Sequence, residues 1–193
     1  ALRTYSANKL SKLMNISEKI SLLNYERYIK WSLPFDESNA HPALLLFQGD
    51  VYRGISAEDF EKEDFLFAQK SIRILSGLYG IIKPLDLIQP YRLEMGTQIK
   101  IGKHNDLYEF WGDDITNAIN KDKNNDYLIN LASVEYFKSI NKNNLKSKLI
   151  NIFFKEKRDG GYKIIGIHAK KARGLMSRFI IKNKIVNPLE LKK

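Results

Sequence analysis

Short, continuous apolar runs that stop at glycine or serine recur along this chain, and they constrain its fold more than any other feature. Ala43 to Phe47 empties into Gln48-Gly49-Asp50-Val51-Tyr52-Arg53-Gly54, and Ile72 to Leu75 stops at Ser76-Gly77-Leu78-Tyr79-Gly80. Asp126 to Leu131 passes into Ala132-Ser133 and a predicted helix start at Val134. Runs of this length read as buried strands, and strands separated by helical stretches predict a mixed α/β domain. We therefore expect one compact domain over residues 1–193 with a mixed central sheet.

The helical stretches are legible by periodicity and caps. Ser11 to Trp31 reads as helices with Leu13, Ile16, Ile20, Leu23 and Arg27 near one face, ended by Pro34. Ser56 is predicted to cap a helix with Glu58, Asp59 and Glu61 in its first turns. Pro84 and Pro90 bracket a stiff loop, and Leu107 to Ile119 reads as helix. Leu149 to Phe154 and Tyr162 to Ile167 are expected to form a hairpin across Arg158-Asp159-Gly160-Gly161, followed by a helix over Lys170 to Ile181. In that helix Ala172, Leu175, Met176 and Phe179 have the spacing of a core-facing stripe, which puts Gly174 on the exposed face.

Composition removes several chemistries. The absence of cysteine excludes disulfides, thiol nucleophiles and thiolate metal sites. The three histidines, His41, His104 and His168, are far apart, so no metal site and no cofactor is expected. No stretch reaches the ~18 apolar residues of a membrane span, and a cytoplasmic monomer held by packing alone is expected. The net charge of +10 is unevenly placed: Ser139 to Lys193 holds fifteen Lys or Arg against three acids, while the other 138 residues balance at −2. A cationic region of this kind either solvates a surface or attracts polyanions through counterion release.

Candidate site residues cluster where the apolar runs end. Gly49, Gly77 and Gly80 allow close backbone approach to a ligand, although glycine also simply suits turns. Asp50, Glu94, Glu135 and Lys170 carry groups for acid or base catalysis, and Tyr52, Tyr91 and Ser133 stand beside them in the same loops. Arg92 can fork to a phosphate or a carboxylate, and Glu94 shares its face in an extended segment, where an internal Arg–Glu pair is the simpler reading. Arg92, Lys83, Lys170, Lys171, Arg173 and Arg178 are the candidate phosphate ligands, four of them on the last helix.

Four blocks in order resemble the YaaA family of peroxide-stress proteins. They are Phe47 to Tyr52; Leu75 to Gly80 continuing through Pro84-Leu85-Asp86-Leu87 to Gln89-Pro90-Tyr91-Arg92-Leu93-Glu94-Met95-Gly96; Asn130 to Ser133 with Glu135 to Lys138; and Ala169 to Ile181. The resemblance implies a compact mixed fold with a positively charged cleft, a cytosolic role in limiting oxidative damage, and DNA binding. It also implies a helix-hairpin-helix element, whose counterpart here is Ser76 to Gly80, with a different glycine spacing from the usual one. The family opens with a further strand bearing a Pro-Ala-Lys motif and closes with a segment beyond the last helix, and both fall outside the 193 residues. Two functions follow as expectations. One is a DNA-binding protein of peroxide protection, acting through a basic cleft. The other is an enzyme acting on a nucleotide, nucleobase or nucleic-acid substrate in that cleft. A role in lowering free iron is the weakest, because no His and carboxylate spacing supports it.

Overall fold

In the computed structural model, which describes residues 1–122 and 126–192, helices α1 (Ala7–Met14) and α2 (Glu18–Lys30) open the chain. Ser6 and Ser17 cap them, their hydroxyls accepting the N–H groups of Lys9 and Ile20. The helices fall where expected, but α2 buries Ser21, Asn24 and Tyr28 and leaves Ile20 and Leu23 exposed. The buried polar groups are satisfied within the fold: Asn24 Nδ2 donates to the Ile20 carbonyl at 2.8 Å, and the Tyr28 hydroxyl donates to the Arg92 carbonyl.

The next segment departs from the strand expected at Ala43 to Phe47. A two-residue strand, β1 (His41–Pro42), is followed by a single helical turn, α3 (Ala43–Leu46). Pro42, at φ −53 and ψ 130, stands just before the turn, where its lack of an N–H leaves no donor unsatisfied. The N–H groups of Ala43 and Leu44 donate to the carbonyls of Asp86 and Pro84, each at 2.9 Å, so the 84–86 loop caps the turn. Gly49, at φ +117, then turns the chain into α4 (Asp50–Ile55), where a loop was expected. Ser56 ends α4 in the left-handed region and leads into a single 3-10 turn, Ala57–Asp59, that its side chain does not cap; the α-helix, α5 (Lys62–Ser71), begins at a reciprocal box of Glu61 and Asp64.

Strands β2 (Ile74–Ser76) and β3 (Gly80–Ile82) form a hairpin, and β4 (Leu87–Ile88) pairs antiparallel with β1. The expected helix over 107–119 is broken at Gly112, φ +46, into α6 (Leu107–Trp111) and α7 (Asp114–Lys121). Next come β5 (Tyr127–Asn130), α8 (Val134–Phe137) and β6 (Lys148–Asn151), with β5 and β6 parallel. Leu149 and Ile150 therefore pair with β5 and not with the later strand. The hairpin forms between β7 (Glu156–Arg158) and β8 (Gly161–Lys163), its turn made by Asp159 and Gly160, with Gly160 and the first residue of β8, Gly161, at φ +87 and +119. The mixed α/β class holds, and among the described residues the strands pair as four two-stranded ladders rather than in one central sheet.

The last helix, α9 (Gly166–Lys182), covers the expected range with a different face inward. Leu175 and Phe179 are 50% and 46% exposed, while Ala169, Gly174, Ser177, Ile180 and Ile181 are buried. Gly174 lies on Gly54 of α4, and a Cβ on Gly174 would collide with the Val51 carbonyl. The crossing needs small residues, and that requirement overrides the apolar stripe in choosing the packed face. Three apolar clusters make the core. Tyr52 packs on two of them and Tyr91 also touches two, so both phenols sit at seams between clusters.

Candidate functional site

The seam is built from aromatic residues of several elements. Phe47 stacks on Tyr52 at 5.1 Å between ring centroids, Tyr91 meets Phe47 edge-on at 6.0 Å, and Tyr79 meets Tyr91 edge-on at 5.3 Å. The Tyr91 hydroxyl lies 2.6 Å from Ser76 Oγ, which also accepts the Tyr79 N–H. The Tyr79 hydroxyl receives Trp31 Nε1–H and the Gln89 N–H, each at 3.1 Å. Burial pushes the Tyr52 and Tyr91 phenols far above their ordinary range. Burial, with the Glu135 and Glu94 charges adding to it, raises Tyr136 to about 12. These phenols are neutral at physiological pH, so they orient and donate hydrogen bonds, and any base in this region is a carboxylate.

The segment from Tyr91 to Gly96 carries those carboxylates. Arg92 pairs with Glu94 at 3.0 Å and both are exposed, so the simpler reading of this pair is the one observed. Glu135, in the first turn of α8, accepts the Gly96 N–H at 2.8 Å. Its side chain lies against Gly96, 3.2 Å from where a Cβ would stand, so a larger residue there would press on the Glu135 carboxylate. Ser133 caps α8, its hydroxyl accepting the Tyr136 N–H. Gly77 and Gly80 serve packing: a Cβ on Gly77 would collide with the Leu93 carbonyl, and Gly80, at φ +72, lies under the Trp111 ring. Ser76 to Gly80 is the tip of the β2–β3 hairpin, flanked by strands, so this segment is no helix-hairpin-helix.

At the start of α4, Asp50 forms an ion pair with Arg53. Phe47, Gln48, Gly49, Tyr52, Arg53 and Glu58 line a groove of 110 Å³. Lys83 is half-buried, and its N–H donates to Asp86 Oδ2 at 2.7 Å in a tight turn.

The cations of α9 divide into two groups. Arg178 Nη1 donates to the carbonyls of Ile55 and Ser56 at 2.9 and 2.7 Å and to Asp59 at 2.8 Å. Lys182 pairs with the buried Asp64 at 2.8 Å, and Lys184, just beyond the helix, pairs with it as well. This half of the helix uses its charge to hold the fold, so Arg178, expected as a phosphate ligand, is already engaged by Asp59 and two backbone carbonyls. Lys170 and Lys171 are exposed and, with the half-buried Arg173, have no carboxylate partner among the described residues. The Arg173 guanidinium is lowered by burial alone, with no acid offsetting it.

The fold thus brings Tyr52, Tyr91, Arg92, Glu94 and Glu135 around one segment, and α9 packs on α4, the helix that carries Tyr52. The sequence pointed to Ser76 only as part of the Ser76 to Gly80 loop, and did not mark Tyr136 or Gly54 as site residues. Tyr136 was findable as the third residue after a serine cap, whereas Gly54 has meaning only once α4 is known to be a helix. Among the described residues no group of three or more His, Asp or Glu side chains is placed to hold a metal ion, and no helix is long and apolar enough to cross a membrane.

The whole chain, residues 1–193, matches the family described as "Peroxide stress protein YaaA". It is 55% identical over 191 residues to a UPF0246 protein of Acaryochloris marina, covering 98% of this chain and 76% of that relative. It is 53% identical over 194 residues to a UPF0246 protein of Saccharophagus degradans, with 99% and 76% covered. A UPF0246 protein of Aliivibrio fischeri is 50% identical over 195 residues, with 100% and 75% covered. On the full-length match, the shared identity and the seam of motif residues, the chain belongs to the YaaA family of peroxide stress proteins.

Proposed function

We propose that this chain serves peroxide protection by binding DNA along the cations that flank the start of α9. One observation carries the reading. Lys155, Lys157, Lys163, Lys170, Lys171 and Arg173 have no carboxylate partner among the described residues, while the cations farther along α9 are neutralised internally. Unpaired cations hold a counterion atmosphere weakly and exchange it for phosphates, which releases the ions condensed on the nucleic acid. The test is fluorescence anisotropy with a labelled DNA strand and its duplex over a range of salt. Affinity is expected to fall steeply with salt. Changing Lys170, Lys171 and Arg173 to Gln is expected to cost roughly tenfold per residue near ~0.1 M salt and to flatten the salt slope by about 1 for each. No binding at low salt, or an unchanged slope in the triple variant, refutes the reading.

A second reading has its own observation. Arg92, Glu94 and Glu135 stand on or against the Tyr91 to Gly96 segment beside neutral phenols; Arg92 donates to Glu94 Oε1 and Glu135 Oε1 accepts the Gly96 N–H, while the second carboxylate oxygen of each acid has no hydrogen-bond partner among the described residues. That arrangement suits acid–base chemistry on a nucleotide or nucleobase, with Arg92 for the anionic end and Glu135 as the base. Turnover of a nucleotide or nucleobase panel, abolished by Glu135→Gln with the fold retained, would support it. Turnover indifferent to both Glu135→Gln and Glu94→Gln would count against it.

A further inference from the structure

The β7–β8 hairpin divides its side chains between two faces. Glu156 stands opposite Lys163 and Lys157 opposite Tyr162, so Glu156, Arg158 and Lys163 share one face and Lys157 and Tyr162 the other. The first face is tied down: Glu156 accepts from Arg158 at 3.1 Å, and its second oxygen meets His168 Nδ1 in the first turn of α9. The second face has no such partner among the described residues. Tyr162 is 70% exposed beside the exposed Lys157. Phe153, two residues before the exposed Lys155, is 68% exposed.

Two large rings left in water within ten residues of each other in a stretch whose lysines are unpaired among the described residues are uncommon, because aromatic area is usually the first to be buried. Lysine charge answers phosphate, but it gives the rings nothing to do. Bases free of a partner strand answer both: their faces stack on exposed rings while the backbone meets the cations. In an intact duplex the base faces are already stacked, so the rings gain nothing and the lysines act alone.

We infer that Phe153 and the Lys157/Tyr162 face of the hairpin form a stacking platform for unpaired nucleobases. The polyanion this surface favours is therefore single-stranded nucleic acid. The inference rests on the nucleic-acid reading above and adds the class of strand it prefers.

The experiment compares labelled oligo(dT) with the same strand annealed to oligo(dA), using the whole chain. The single strand is expected to bind more tightly. Phe153→Leu combined with Tyr162→Leu is expected to lower single-strand affinity by about tenfold or more, with duplex affinity and both salt slopes unchanged. Lys155→Gln combined with Lys157→Gln is expected to flatten the salt slope for both forms. Circular dichroism checks that the variants keep their fold, which the exposure of all four side chains favours. Equal affinity for strand and duplex, or no effect of the ring changes on the strand, overturns the platform and leaves phosphate binding standing. Failure to bind either form at low salt overturns both readings. Binding to mixed neutral and anionic phospholipid vesicles, lost with the rings while DNA binding is untouched, assigns the face to a membrane surface and also overturns the platform.

Discussion

Gly174 and Gly54 meet where α9 crosses α4, and each lacks the side chain that the other's backbone would strike. Gly174→Ala sets two effects against each other. Helix propensity favours the change by about 1 kcal/mol, but the new methyl meets the Val51 carbonyl, which is backbone and cannot swing aside. The collision is expected to win, with a net loss of ~1–3 kcal/mol on urea unfolding. A variant more stable than the wild type would show that the helices do not cross this closely. Arg178→Ala tests the neighbouring contact. It leaves the Ile55 and Ser56 carbonyls without their guanidinium donor, and about 1–3 kcal/mol is the expected loss of stability. A change that reduced DNA affinity and left stability untouched would return Arg178 to the phosphate ligands. Neither role was legible in sequence. Leu175 and Phe179 make the more apolar stripe of α9, and hydrophobicity alone turns that stripe inward. Close packing chose the small residues instead.

At the scale of elements, α5 and the end of α9 are clamped by Asp64, which receives both Lys182 and Lys184 and whose side chain also closes the cap of α5. Hydrogen bonds from the two ammonium groups hold this carboxyl well below the usual carboxylate range. Because the folded value is depressed, the stabilisation is complete above the unfolded value of about 3.9 and is lost as pH falls through the folded one. Asp64→Asn is therefore expected to lower stability at neutral pH and to flatten the decline of stability on the acid side of pH ~4. Thermal unfolding of both forms across that range measures it, and parallel acid-side curves would show that the clamp does not titrate with the fold. The capping box behind this clamp was half visible in the sequence. The acids of 58–64 do mark a helix start, but five residues after Ser56, because α4 occupies the stretch that seemed a loop. The apolar run at Ala43 to Leu46 misled for a related reason. Four apolar residues satisfy a strand or one helical turn equally, and the carbonyls of Pro84 and Asp86, remote in sequence, decided between them.

For the molecule as a whole, the issue is whether its charge acts by amount or by place. The +10 net charge would draw any polyanion weakly, wherever the lysines sat. The cationic end was legible in the sequence as a count, but the fold sorts it. Arg178, Lys182 and Lys184 hold α9 to its neighbours, and Arg158 answers Glu156, so among the described residues the unpaired remainder lies at Lys142, Lys146 and Lys148, on and just before the hairpin, and on the first half of α9. Two double variants separate amount from place, since each removes two positive charges. Lys170→Gln with Lys171→Gln neutralises the start of α9. Lys30→Gln with Lys62→Gln neutralises exposed lysines at the end of α2 and the start of α5 that make no ion pair among the described residues. If position governs, the first pair lowers DNA affinity by roughly a hundredfold near ~0.1 M salt and flattens the salt slope by about 2, while the second changes either by little. Equal losses from the two pairs would mean that the protein attracts DNA only as a diffuse cation. The local charge at α9 would then be a solvated surface, and the seam around Tyr91 to Gly96 would become the place to look for function.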